Sequence, residues 1–219
     1  NSSILLKRNI SSKNMVSIEE NKNKVPGLII KDSFLRQYSY NNTASHILGH
    51  IGQISEGRLR KYNNKGLDYN GGDIVGTTGL EREYEEYLKG NDGIEQIEVN
   101  NIGEKIKTIG IKSPDPGNNL KLNIDIELQK KVEELLLNKF HELREEAKDD
   151  DELTVPTGTS AVVLDVNNGA IKAMASIPNY NPNRFSGGIN QKDYESLKND
   201  PLFPLLNRNT MSAVPPGSI

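Results

Sequence analysis

The sequence predicts an α+β protein in two parts, and three observations predict it. Two hairpin signals, at 94–111 and 161–176, place antiparallel strand pairs with no βαβ alternation between them. A helical pattern from 125 to 143 carries an apolar stripe that packs on a core. Between them, Ser113-Pro114-Asp115-Pro116-Gly117-Asn118-Asn119 has two prolines and a glycine in a polar run. It reads as a boundary, giving parts 1–118 and 119–219.

The first part reads as follows. Residues 1–24 are polar, with a short helix expected around Ser17 to Lys24. Val25-Pro26-Gly27 is a turn, and Leu28-Ile29-Ile30 a short strand. Ala44 to Gly52 contains His46 and His50, four apart, a spacing at which two imidazoles can share a helix face and bind a metal. No third ligand is evident, and Gly49 and Gly52 favour a helix ending or a bend, so the histidines read as packing and hydrogen-bonding residues at a tight turn. Residues 53–73 read mostly as loop. Thr78 then caps a helix to about Lys89, and Glu81 three residues on completes a capping box. Leu80, Tyr84, Tyr87 and Leu88 share one face of it, and Gly90 ends it. Gly76 and Gly79 stand where a phosphate could be cradled, but no Lys-Ser or Lys-Thr pair follows. Ile94 to Val99 and Lys105 to Ile111 form a hairpin with a longer loop.

The second part opens with Leu120 to Asp125, read as a short alternating strand, with Asp125 the N-cap of the next helix. Leu128, Val132, Leu135, Leu136, Phe140 and Leu143 form its apolar stripe. His141-Glu142 begins like a zinc-protease motif, but position 145 is Glu. The run Asp149-Asp150-Asp151-Glu152 reads as a solvated loop. Ala161 to Val166 and Ala170 to Ser176 are joined at Asn168-Gly169, a type I′ turn signal. Both runs are nearly all apolar or small, which predicts a sheet covered on both faces. Pro178 to Phe185 reads as an extended loop, and Lys192 to Asn199 as a short helix. At the end stand Pro215-Pro216-Gly217-Ser218-Ile219, where stiff prolines and a pliant glycine present a serine. Alone, such a run is an ordinary surface turn.

Composition narrows the function. A length of 219 residues suffices for a real core, and a net charge of -3 leaves no electrostatic case for nucleic acid. Absent cysteine excludes disulfides and thiolate metal sites. No stretch approaches the roughly 20 apolar residues of a membrane span, and Asn1 to Lys7 is no signal peptide. Both ends look cut, which predicts a piece of something longer.

Read together, these stretches resemble a class B penicillin-binding protein. His46-Ile47-Leu48-Gly49-His50-Ile51-Gly52 is similar to the family's His-x-x-Gly-Tyr-x-Gly, with His50 in place of the aromatic. Gly76-Thr77-Thr78-Gly79-Leu80-Glu81 is similar to Gly-x-x-Gly-Leu-Glu. Leu122-Asn123-Ile124-Asp125-Ile126-Glu127-Leu128-Gln129 is similar to the Leu-Thr-Ile-Asp-x-x-Leu-Gln that opens the transpeptidase domain. Ala161 to Pro182 resembles the hairpin and loop before the active serine, and Phe185 to Ser218 is most similar to elongation-type members. The resemblance implies part of the non-catalytic pedestal over about 1–118 and the first part of a transpeptidase domain over about 119–219. It implies that Ser218 is the catalytic acyl acceptor for D-Ala-D-Ala stem peptides of peptidoglycan, and the target of β-lactams, with no cofactor and no metal. The family's Ser-x-x-Lys lysine would fall beyond Ile219, so these residues alone are expected to be inactive. The implied setting is the extracytoplasmic side of the bacterial membrane, with a membrane cell-wall polymerase as partner. Glu81 and Asp125 read as caps, and Arg208 as a packing or loop-anchoring residue.

Overall fold

The computed structural model describes residues 6–8, 10–21, 24, 27–28, 30, 35–101, 105–148 and 154–212. Ile29, the acidic run 149–152 and the terminal 213–219 lie outside the described residues.

The first part is built of short pieces. Helix α1 (Ser12–Glu20) starts earlier than Ser17, because the Ser11 hydroxyl accepts from Asn14 N–H as its cap. Leu28 and Ile30 are in no strand. Helix α2 (Ser45–Leu48) ends at Gly49, whose φ is 79°. Strand β1 (Ile51–Gln53) pairs antiparallel with β2 (Ile74–Gly76), and helix α3 (Glu56–Asn64) lies between them in sequence. That helix corrects the expectation of loop over 53–73. Its Tyr62 joins Ile54, Tyr69 and Val75 in a small core, flanked by Leu59 and Leu67. Two apolar side chains three apart are too few for a periodic signal, yet enough to pin a helix against two strands.

The helix after Thr78 is also corrected. It breaks at Tyr84 into α4 (Gly79–Glu83) and α5 (Glu85–Leu88), and Tyr84 and Tyr87 are exposed. Thr78 is the N-cap residue but makes no side-chain cap; its Oγ1 accepts from His50 N–H at 3.2 Å. Glu81 turns inward to Arg36 and Tyr38 instead of back to the cap. Strands β3 (Ile94–Val99) and β4 (Lys105–Lys112) form the expected antiparallel hairpin, with two register shifts. It stands as an exposed ribbon, joined at its foot by the Asn91–Asp115 bridge.

Residues 120–125 are in no strand. They run beside β6 (Ile171–Ile177), and Asp125 N–H donates to Lys172 O at 2.9 Å. Asp125 does cap α6 (Ile126–Glu146), accepting from Glu127 and Leu128 N–H. The covered stripe of α6 is rotated from the expected one. Gln129, Phe140 and the C-cap Ala147 are buried, while Leu128, Leu135 and Leu143 are exposed. The reason is Gln129. Its amide donates to Met174 O at 3.0 Å and accepts from Met174 N–H at 2.8 Å, completing the edge of β6 as a strand would. Strand β5 (Thr159–Leu164) pairs antiparallel with β6. Helix α6 covers one face; on the other, Val162 and Leu164 are 46% and 55% exposed, so among the described residues the sheet is covered on one face, not on both as expected. The turn is not type I′. Gly169 takes φ 71° but Asn168 does not go positive, and Gly169 N–H donates to Asp165 O while Asp165 N–H donates to Ala170 O. The chain then passes a cis Ile177–Pro178 bond into α7 (Asn183–Ser186), a short helix inside the expected loop, then α8 (Gln191–Lys198) and α9 (Arg208–Met211).

Asp125 satisfies two orphan N–H groups of a 21-residue helix. Asp125→Ala is expected to lower stability by about 1 kcal/mol, read as a shifted urea midpoint with unchanged slope.

Candidate functional site

Ser218, the candidate acyl acceptor, lies outside the described residues with the rest of 213–219. The structure describes the base from which that run departs. Asn207 Oδ1 accepts from Asn209 N–H at 3.1 Å and caps α9. The Arg208 guanidinium donates to Leu202 O at 2.7 Å and Thr157 O at 2.9 Å. A methyl group at Gly158 would lie 2.0 Å from Arg208 Nε, so only glycine leaves that side chain its place. Arg208 N–H donates to Ser176 Oγ at 3.1 Å, and that hydroxyl donates to Leu206 O at 3.2 Å. The Asn209 amide donates to Ala175 O at 2.9 Å. Two consecutive side chains, Arg208 and Asn209, thus fasten the segment to β6 and to Thr157 and Leu202 beside it, the anchoring role expected of Arg208.

Behind this base lies a joint between the two ends of the chain. The Asn183 side chain accepts from Tyr38 N–H at 2.8 Å and donates to Tyr38 O at 2.9 Å. Glu133 accepts from Ala44 N–H at 2.8 Å. His46 Nε2 lies 2.9 Å from Pro204 O, an acceptor, so that nitrogen carries the proton and donates. The Asn207 amide donates to His46 O at 3.3 Å. Rings fill the space: His50 stacks on Phe185 at 3.8 Å, and Tyr180 meets His46 edge-on at 5.3 Å. His46 and His50 are therefore spent on protein contacts, His50 Nδ1 sitting 3.2 Å from Ile51 O.

The two glycine-bearing motifs pack on each other, main chain to main chain. A Cβ at Gly49 would lie 1.9 Å from Thr78 O, and one at Gly79 would lie 2.6 Å from Gly49 N. The carboxylates beside them hold structure. Glu81 is buried, pairs Arg36 Nε at 2.9 Å and accepts from the Tyr38 hydroxyl at 3.1 Å. Glu85 accepts from Tyr69 OH and Gly76 N–H, each at 2.6 Å. Burial, then the adjoining carboxylate, pushes both phenols above the ordinary tyrosine range. Sequence reasoning missed Asn183, Glu133, Gln129 and Asn207. Each is a polar residue in a polar stretch, and its partner is a main-chain atom far away in sequence.

Burial pushes His46 down from 6.5 to about 4, and Arg208 adds to that, while the hydrogen bond to Pro204 opposes it. Burial lowers His50 as well, with Arg58 adding. A folded imidazole below its unfolded value loses stability as pH falls. The unfolded chain protonates first, near 6.5, and the loss is complete near 4. Across that window His46 is expected to cost about 3 kcal/mol. Glu133, raised by burial, opposes it at the acid end. His46→Gln, neutral at every pH, should flatten the dependence of melting temperature on pH between 6.5 and 4.

Residues 1–122 match the penicillin-binding protein dimerisation domain, and residues 159–219 match the penicillin-binding protein transpeptidase domain. Over 218 residues the chain is 33% identical to the peptidoglycan D,D-transpeptidase MrdA of Escherichia coli K12, covering 99% of this chain and 32% of that protein. It is 34% identical over 217 residues to MrdA of Haemophilus influenzae, covering 98% of this chain and 31% of that protein. The chain thus spans about a third of the length of these curated relatives. Among solved structures it is similar to a complex between the penicillin-binding protein PBP2 and MreC from Helicobacter pylori. There the TM-score is 0.63 at 31% identity, over 91% of this chain and 33% of that one. Pseudomonas aeruginosa PBP2 in complex with WCK 5153 matches with a TM-score of 0.54 at 31% identity, over 80% of this chain and 31% of that one. By sequence, domain order and fold, the chain belongs to the penicillin-binding protein family, spanning its dimerisation domain and the start of its transpeptidase domain.

Proposed function

We propose that the chain forms part of the pedestal and the opening of the catalytic domain of a peptidoglycan D,D-transpeptidase, divided near residue 118, with Ser218 the acyl acceptor. The observation that carries this is the likeness to relatives named peptidoglycan D,D-transpeptidases over 99% of the chain. The anchored segment 207–209 agrees with it, since a nucleophile must be presented from a rigid base.

The chemistry is acyl transfer. Ser218 Oγ attacks the carbonyl between the two D-alanines of a stem peptide. A C–O ester bond forms, the C–N bond breaks, and the terminal D-alanine leaves with the hydroxyl proton on its amine. An amine of a neighbouring stem attacks the ester, a new amide forms, and Oγ regains a proton. Backbone N–H groups stabilise the oxyanion in each step. A β-lactam enters by the same attack on its ring amide and stays bound as an ester. A serine hydroxyl needs a base, and the Ser-x-x-Lys pattern puts that lysine one helical turn on, a position past Ile219. The enzyme works at the extracytoplasmic face of the bacterial membrane, where peptidoglycan lies. Among the described residues, no helix is long and apolar enough to cross a membrane.

A second role accompanies the first: docking of a membrane-embedded cell-wall polymerase. The β3–β4 ribbon favours it, because Ile94, Ile97, Ile106, Ile109 and Ile111 are all exposed on two strands with open edges. Solved relatives were captured in a complex with MreC and in a peptidoglycan synthase complex.

Two experiments test these readings. Incubated with a fluorescent penicillin and run on a denaturing gel, residues 1–219 alone should show no labelled band. A protein of the relatives' full length carrying this segment should label, and its Ser218→Ala variant should not; a labelled Ser218→Ala band defeats the assignment. For docking, Ile97→Asp with Ile109→Asp should cut pull-down of the polymerase about tenfold at an unchanged melting temperature, since both side chains are exposed.

A further inference from the structure

The anchor of the Ser218 run has one grip unlike the others. Arg208 and Asn209 hold residues of the second part: Thr157, Ala175, Ser176 and Leu202. Asn207 alone reaches across to the first part, through its Nδ2 donation to His46 O. His46 returns a second bond from its ring to Pro204 O, so one residue of the joint brackets 204–207. His46 cannot shift alone. Ser45, His46 and Ile47 are buried, and Gly49 next to them lies main chain to main chain against Thr78 and Gly79. A displacement of β2 and α4 is therefore carried to Asn207 through packed atoms with no slack loop between.

We propose that Asn207 is a positioning residue through which the first part of the chain sets the Ser218 run, eleven residues on. The proposal rests on Ser218 being the acyl acceptor. It makes the pedestal a regulator of acylation as well as a spacer. The two atoms of the Asn207 amide have separate duties, so they can be separated by mutation. Asn207→Asp keeps an oxygen to cap α9 and removes the donor to His46.

The test uses the protein of the relatives' full length carrying this segment. Asn207→Asp should acylate with a fluorescent penicillin about tenfold more slowly, at unchanged half-saturating concentration and with a melting temperature within about 2 °C. Hydrogen exchange should quicken at the amides of Arg208–Met211 and stay unchanged over Ile171–Ile177. Wild-type acylation and exchange in Asn207→Asp overturn the proposal. If the wild type itself does not label, the assignment of Ser218 fails, and exchange alone judges the coupling by the same two outcomes. Should Asn207→Asp melt early, Asn207→Ser replaces it, because serine still caps but is too short to reach His46.

Discussion

Buried main chain without regular structure must find its hydrogen bonds somewhere. In this molecule that constraint falls on the segment from Tyr38 to Gly52, which threads between the two parts. A short helix, a short strand and three turn bonds between Tyr38 and Ser45 serve it from within. Thr77 and Thr78 serve His50, and side chains from the second part serve four more positions: Asn183 to Tyr38, Glu133 to Ala44, Tyr180 to Ser45 and Asn207 to His46. A missing partner would leave a buried polar group bare, a penalty larger than the net value of a hydrogen bond made. The two parts therefore share one set of polar contacts at the joint, and the joint stands directly behind the residues that lead to Ser218.

Most of the titratable side chains that look catalytic in the sequence serve this architecture. Glu81 and Glu85 each bring a carboxylate to a tyrosine hydroxyl and to a second donor, tying α4 and α5 to Arg36, Tyr38, Tyr69 and β2. His46 and His50 are neutral buried rings packed on Tyr180 and Phe185. Their polarity is useful because an aromatic ring with nitrogen atoms fills apolar space and also meets a carbonyl. The glycines of the two motifs meet each other, main chain against main chain. Two motifs 27 residues apart by their first glycines, 49 and 76, are one structural unit.

Much of this was legible in the sequence. Both hairpins were, because β-branched runs bounded by turn residues carry a local signal. So were the Asp125 cap, the helix end at Gly49 and the role of Arg208. Helix α3 was not, since its hold on the core comes from Leu59 and Tyr62 alone. The capping box at Thr78 and Glu81 was misread because both side chains found partners far away in sequence: Thr78 at His50, Glu81 at Arg36 and Tyr38. The stripe of α6 was rotated because a glutamine, not a leucine, faces the sheet edge.

By itself, the sequence determined the two long hairpins, the long helix after Asp125 and the family, since these rest on periodicity, turn chemistry and motifs read along the chain. Only the tertiary structure decided which polar side chains are spent at the joint and which face of each element is covered. The reason is physical: a hydrogen bond between His46 and Asn207 joins residues 161 apart, and no local pattern marks either end of it.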